Sequence, residues 1–97
     1  MDVELLYLDG CPNWQSVNNH LFTLQTEFGF NLRRRLVSTA DEAVRIGFRG
    51  SPTILVNGVD PFASGDEPIG LSCRIYTTSA GPAGSPTEDQ LRSAVTR

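Results

Sequence analysis

The groups in this chain best suited to covalent chemistry are two cysteines, Cys11 and Cys73, and the single histidine is His20. Cys11 stands in Asp9-Gly10-Cys11-Pro12-Asn13-Trp14, just after an apolar run and just before a helical pattern. A thiol at a helix N-terminus meets free N–H groups and the positive end of the helix dipole, which lowers its pKa from about 8.5 into the range of roughly 3.5 to 7.5. The carboxylate of Asp9 opposes this, since it disfavours a second negative charge nearby. Cys11 is therefore read as a nucleophile, and the competing reading is a small buried hydrophobe beside a turn. Cys73 lies in the island Gly70-Leu71-Ser72-Cys73-Arg74-Ile75-Tyr76, where the plain reading is a half-buried filler. His20 falls at the edge of the first helix and reads as a surface residue, and nothing forms the four-ligand set of a zinc site. Arg49 and Arg74 read as solvated surface arginines, with the carboxylates of an anionic substrate as the alternative. Asp60-Pro61-Phe62 and Tyr76 read as structure.

The elements that must position these groups follow from periodicity. Val3 to Leu8 is an almost continuously apolar run closed by Asp9-Gly10, the pattern of a strand buried on both faces. Pro12 suits the first turn of a helix. Trp14, Val17, Leu21, Leu24 and Phe28 then recur at spacings of three and four, one apolar stripe along about four turns, with Gly29 as the stop. Leu32 to Val37 predicts a second strand, at an edge because Arg33, Arg34 and Arg35 need a wet face. Ser38 and Thr39 with Glu42 predict a capped helix running through Ile46 to Gly47. After Gly50-Ser51-Pro52, the β-branched run Thr53 to Val56 and the Asn57-Gly58 turn predict a hairpin with Val59 to Phe62. Residues 63–84 are rich in Gly, Pro, Ser and Thr, apart from the island around Cys73, which reads as a strand or a docked loop. Ser85-Pro86-Thr87-Glu88 predicts the cap of a last helix carrying Leu91 and Val95.

Composition bounds the rest. A chain of 97 residues with 39% hydrophobic content fits one domain, 1–97. Such a domain buries roughly 60 to 65% of its unfolded surface, so neither cysteine is required as a staple. Net charge is −3 and all eight basic residues are arginine, a poor footprint for nucleic acid, which needs a concentrated basic face. The first residues lack the pattern of a signal peptide, and no apolar stretch approaches the roughly 20 residues that span a bilayer. The expectation is a cytoplasmic protein with no membrane or nucleic-acid partner, in which any disulfide is transient.

A strand ending in a cysteine-bearing loop that opens a helix, followed by Ser51-Pro52-Thr53 before a buried strand, resembles the thioredoxin and glutaredoxin superfamily. The stretches Gly10-Cys11-Pro12-Asn13-Trp14, Gly50 to Gly58 and Gly70 to Tyr76 are similar to small bacterial thioredoxin-like proteins, some of which carry the label alkylmercury lyase. The resemblance implies a β-α-β-α-β-β-α thioredoxin-like fold, with a central mixed four-stranded sheet flanked by helices and a cis-proline at Pro52 facing Cys11. It implies catalytic residues Cys11 and Cys73 and a substrate surface at Pro12, Trp14, Ser51, Pro52 and Thr53, with no cofactor. Trp14 occupies the place of the second cysteine of a Cys-x-x-Cys motif, so no disulfide forms within the motif. In the glutaredoxin-like order the loop of Cys73 returns towards the active-site end of the sheet, where Cys73 would resolve an oxidised Cys11 or act as a second soft metal ligand. Three functions fit. One is thiol–disulfide exchange on a thiol or disulfide substrate such as glutathione or a partner protein, with Cys11 attacking and Cys73 or an external thiol resolving. The second is capture of a soft metal or organomercurial between the two thiols. The third is a non-catalytic binding module. The most exposed expectation is that Cys11 and Cys73 come within disulfide distance across the long loop.

Overall fold

The apolar run at the start of the chain forms the central strand of a three-stranded mixed sheet in the computed structural model, which describes residues 1–96. Arg97, the last residue of the expected domain, lies outside the described residues. The elements are β1 (Asp2–Tyr7), α1 (Trp14–Phe28), β2 (Asn31–Leu36), α2 (Ala40–Ile46), β3 (Thr53–Val56), β4 (Tyr76–Thr78), β5 (Gly81–Ala83) and α3 (Glu88–Val95). β1 runs parallel to β2, with Val3 opposite Leu32, and antiparallel to β3, with Leu6 opposite Thr53. No helix of the described residues is long and apolar enough to cross a membrane.

Successive side chains of a strand point to opposite faces, so β1 serves two cores. Val3 and Leu5, with Ile54 of β3, pack against Val17, Leu21 and Leu24 of α1 and Leu91 and Val95 of α3. Leu6 turns the other way, onto Val37, Ala43 of α2 and Phe48. The sheet is thus covered by α1 and α3 on one face and by α2 on the other, as expected for a strand apolar at nearly every position. The arginine-rich β2 is the exposed edge: Arg35 reaches Glu42 at 3.1 Å and Arg34 bonds Asn18. α1 ends where its sequence says, at Gly29, whose φ of 76° is left-handed and open to glycine at low cost.

Four local expectations are corrected. Helix α1 begins at Trp14 rather than at Pro12; Pro12 and Asn13 form a tight turn in which the Gln15 N–H donates to the Pro12 carbonyl at 3.1 Å. Helix α3 is capped by Thr87 with Gln90 rather than from Ser85 with Glu88. The amide of Gln90 accepts from the Thr87 N–H and also donates to the Thr77 carbonyl at 2.8 Å, a donation no carboxylate could make. The Asn57-Gly58 turn forms, with φ of 52° and 81°. Val59 makes only a single bridge to Val56, however, and residues 59–62 do not become a strand. The Asp60 carboxylate accepts from the Phe62 N–H at 2.9 Å and curls the chain away, and Pro61 has no N–H for a ladder. The expected four-stranded sheet is accordingly three-stranded, and the remaining pairing is a separate β4-β5 hairpin inside the Gly- and Pro-rich region.

Candidate functional site

Cys11 follows β1 by four residues, in the turn that leads into α1. Its N–H donates to the Leu8 carbonyl at 3.4 Å, and the residue is 4% exposed. Cys73 belongs to a strap, residues 70–76, that crosses the end of the sheet beside β3, and it is exposed. A disulfide joins the two, with Cα atoms 5.8 Å apart across a sequence separation of 62. The close approach expected between Cys11 and Cys73 is therefore present.

Two features bring the strap to Cys11. The first is Ser51, which is fully buried and bonds in both directions. Its N–H donates to the Ser72 carbonyl at 2.8 Å and its carbonyl accepts from the Arg74 N–H at 3.0 Å, so Ser51 and Cys73 form a parallel bridge. Its hydroxyl accepts from the Leu8 N–H at 3.0 Å, tying the turn that carries Cys11 to the same residue. The second is Gly50, where φ is 102° and an added Cβ would lie 3.0 Å from the Arg74 Cβ and 3.2 Å from the Ser72 carbonyl oxygen. Only glycine lets the strap lie this close. The Ser51-Pro52 peptide in the same loop is cis, as the resemblance led us to expect. Thr53 donates to the Gly50 carbonyl at 2.6 Å and closes the loop.

A buried polar network holds the far side of the strap. Arg74, with its side chain 3% exposed, donates to Asp60 at 2.7 Å, and the Asp60 side chain is 2% exposed. The Arg74 guanidinium also lies 4.5 Å from the centre of the Tyr76 ring, and Tyr76 packs edge-on against Phe62. The Tyr76 hydroxyl donates to the carbonyl of Pro52, and burial pushes its pKa well up. Arg49 adds a weaker contact to Asp60 at 3.8 Å. At the strap's entrance, the side chain and backbone N–H of Ser64 bond the Glu67 carboxylate and push its pKa down to about 2.

The sequence-predicted site residues sort themselves by burial. Ser51, Pro52 and Thr53 come together with both cysteines, but they lie inside and spend their polar groups on the chain itself. Pro12 is exposed beside Cys11, and Trp14 stacks on Tyr7 with ring centres 4.3 Å apart. His20 is a surface residue facing Glu88 at 3.8 Å. Arg74, expected at the solvated surface, is buried because Asp60 neutralises it and Tyr76 covers it. Sequence reasoning left Asp60 and Tyr76 without a part in the site, yet both position it. The available signal was the i, i+2 spacing of Arg74 and Tyr76, which sets both on one side of an extended segment. A cavity of about 230 Å³ opens at Cys73 among Arg49, Glu67, Pro68 and Ile75. A larger one, about 520 Å³, lies between Phe62, Ser79 and α3 and is lined by neither cysteine.

Fold and site together define a mixed α/β protein whose cross-link joins the turn after its central strand to a strap laid against a cis-proline loop. Among known proteins, no family model, no curated protein and no solved structure matches this chain.

Proposed function

We propose that the protein is a thioredoxin-like thiol–disulfide redox protein whose working couple is Cys11 and Cys73. The observation that carries this reading is the pairing of the chain's two cysteines across a separation of 62 residues, at the end of the sheet and beside a cis-proline. In the reduced protein one cysteine thiolate attacks a substrate disulfide, forming a mixed disulfide and releasing the first substrate thiol. The second cysteine then attacks that mixed disulfide, releases the other substrate thiol and leaves the Cys11–Cys73 bond, so that two electrons pass to the substrate. An external thiol such as glutathione, or a partner protein, restores the dithiol by the reverse exchange. A reducing cytoplasm suits this cycle, because it keeps returning the couple to its dithiol form.

The test is catalysis of insulin reduction by dithiothreitol. Wild-type protein should accelerate it, while Cys11→Ser and Cys73→Ser should each fall to the uncatalysed rate or stop at a mixed disulfide. A wild-type rate equal to that of either variant overturns the reading. A second reading rests on the same proximity: the reduced pair would offer two thiolates to a soft, two-coordinate cation such as mercury. Among the described residues no group of three or more His, Cys, Asp or Glu side chains gathers as a metal site, so the ion would depend on the two sulfurs. Titration of reduced protein with Hg(II), followed by thiolate-to-metal absorbance, should saturate at one equivalent if this reading holds.

A further inference from the structure

The two sulfurs of the couple are not equivalent, and we infer that Cys73 is the one that meets the external thiol while Cys11 is the buried leaving and resolving group. This inference rests on the redox reading above and reverses the order suggested by the sequence, in which Cys11 attacks first. Exchange proceeds by attack of a thiolate on one sulfur, in line with the bond that breaks, and access decides which sulfur is attacked. Cys11 is 4% exposed, held in its turn below the strap. Cys73 is exposed and opens onto a cavity beside Arg49, Pro68 and Ile75. Ile75, 69% exposed and lining the same cavity, gives the strap an apolar outer side beside it.

The chemistry balances in both directions. On reduction of the protein, an incoming thiolate forms a bond to Cys73 Sγ, the Cys11–Cys73 bond breaks, and its electron pair leaves on Cys11. That thiolate forms in the turn that leads into α1, three residues before Trp14 and near the positive end of the helix dipole. On oxidation, the Cys73 thiolate attacks the substrate disulfide, and Cys11 then attacks Cys73 Sγ and expels the substrate thiol. The strap serves as the presenting element, and Ser51 keeps the attacked sulfur beside the buried one.

Partial alkylation of the reduced wild-type protein tests this directly. Every basic residue is arginine, so tryptic cleavage places Cys11 in residues 1–33 and Cys73 in residues 50–74. With substoichiometric iodoacetamide at neutral pH, modification of residues 50–74 should exceed that of 1–33 by about tenfold. Equal labelling, or faster labelling of 1–33, overturns the assignment. A second arm treats oxidised wild-type protein with a biotinylated thiol and quenches with acid, and the mixed disulfide should then be found on residues 50–74; its capture on 1–33 overturns the assignment. Neither measurement uses a variant whose folding is in question. Insulin reduction by the same preparation separates the two levels: label on 50–74 without turnover sinks the redox reading and keeps Cys73 as the accessible sulfur, whereas turnover with label on 1–33 keeps the redox reading and sinks the order proposed here.

Discussion

The frame of β1, α1, β2 and α2 and the strap of residues 70–76 are held by different forces. The frame is local and apolar: side chains at periods of two and three to four meet across short connections, and Leu5, Val17, Leu21 and Leu24 are fully buried. The strap has almost no regular structure ahead of β4 and buries few large apolar groups. It is fixed by a disulfide, a backbone bridge to Ser51, the Arg74–Asp60 pair and the Tyr76 bond to Pro52. A segment that cannot gain from periodic packing must be placed by specific tethers, and each tether becomes a point at which it can be released. Under the proposed redox function this division is useful, since a rigid frame holds one sulfur while a strap presents the other.

Reducing the disulfide should give the largest effect, because it removes the tether that closes the longest loop. In the chain-entropy model a bond across 62 residues contributes on the order of 4 kcal/mol, less any native strain. Oxidised protein should melt well above reduced protein, and Cys73→Ser should show no difference between the two conditions. Equal melting temperatures for oxidised and reduced wild type would mean that the strap adds nothing to the stability of the frame.

Next in size is Asp60→Asn, which leaves the buried Arg74 charge without its partner and should cost about 3 kcal/mol. Leu21→Ala in the frame should cost a similar amount through its cavity. Hydrogen exchange distinguishes them: the first should deprotect residues 70–76 selectively, and the second should raise exchange throughout the sheet. Identical exchange patterns would erase the distinction between the two regions. Gly50→Ala follows, at about 2 kcal/mol, from a positive φ combined with contact against the strap backbone. It should also slow re-formation of the disulfide, measured by loss of free thiol after dilution from reductant, while the far-UV signature of the frame stays unchanged.

The smallest effect concerns pH. Ser64 holds the Glu67 pKa down to about 2 from its ordinary 4.5. A carboxylate depressed in the folded state contributes stability that is fully present above pH 4.5 and lost as pH falls through 2, because the unfolded chain takes up the proton first. The strap should loosen over that window, and Glu67→Gln should remove this part of the pH dependence without changing the behaviour at pH 7. Hydrogen exchange of residues 64–70 at pH 3 and pH 6 checks it, and an unchanged pH dependence in the variant would show that the clamp does not hold the strap.

Much of the frame was legible in the sequence, because its causes are local. The apolar stripe of α1 and Gly29 are neighbours along the chain, as are Thr39 and Glu42 at the start of α2. The Asn57-Gly58 turn and the arginines of the edge strand likewise announce themselves through period, cap and turn chemistry. The reading failed where two local signals competed. Thr87 with Gln90 won over Ser85 with Glu88 because Gln90 also reaches Thr77, and Asp60-Pro61 ended the hairpin that Asn57-Gly58 began. What only the tertiary structure decided is which groups meet over long separations. Arg74 is buried because Asp60, fourteen residues away, neutralises it. Tyr76 belongs to the site because its hydroxyl reaches Pro52. Which sulfur is buried and which exposed follows from the strap lying over Cys11 and not the reverse. Period and propensity describe a residue's neighbours along the chain, whereas burial of a charge or of a sulfur depends on what the rest of the chain lays upon it.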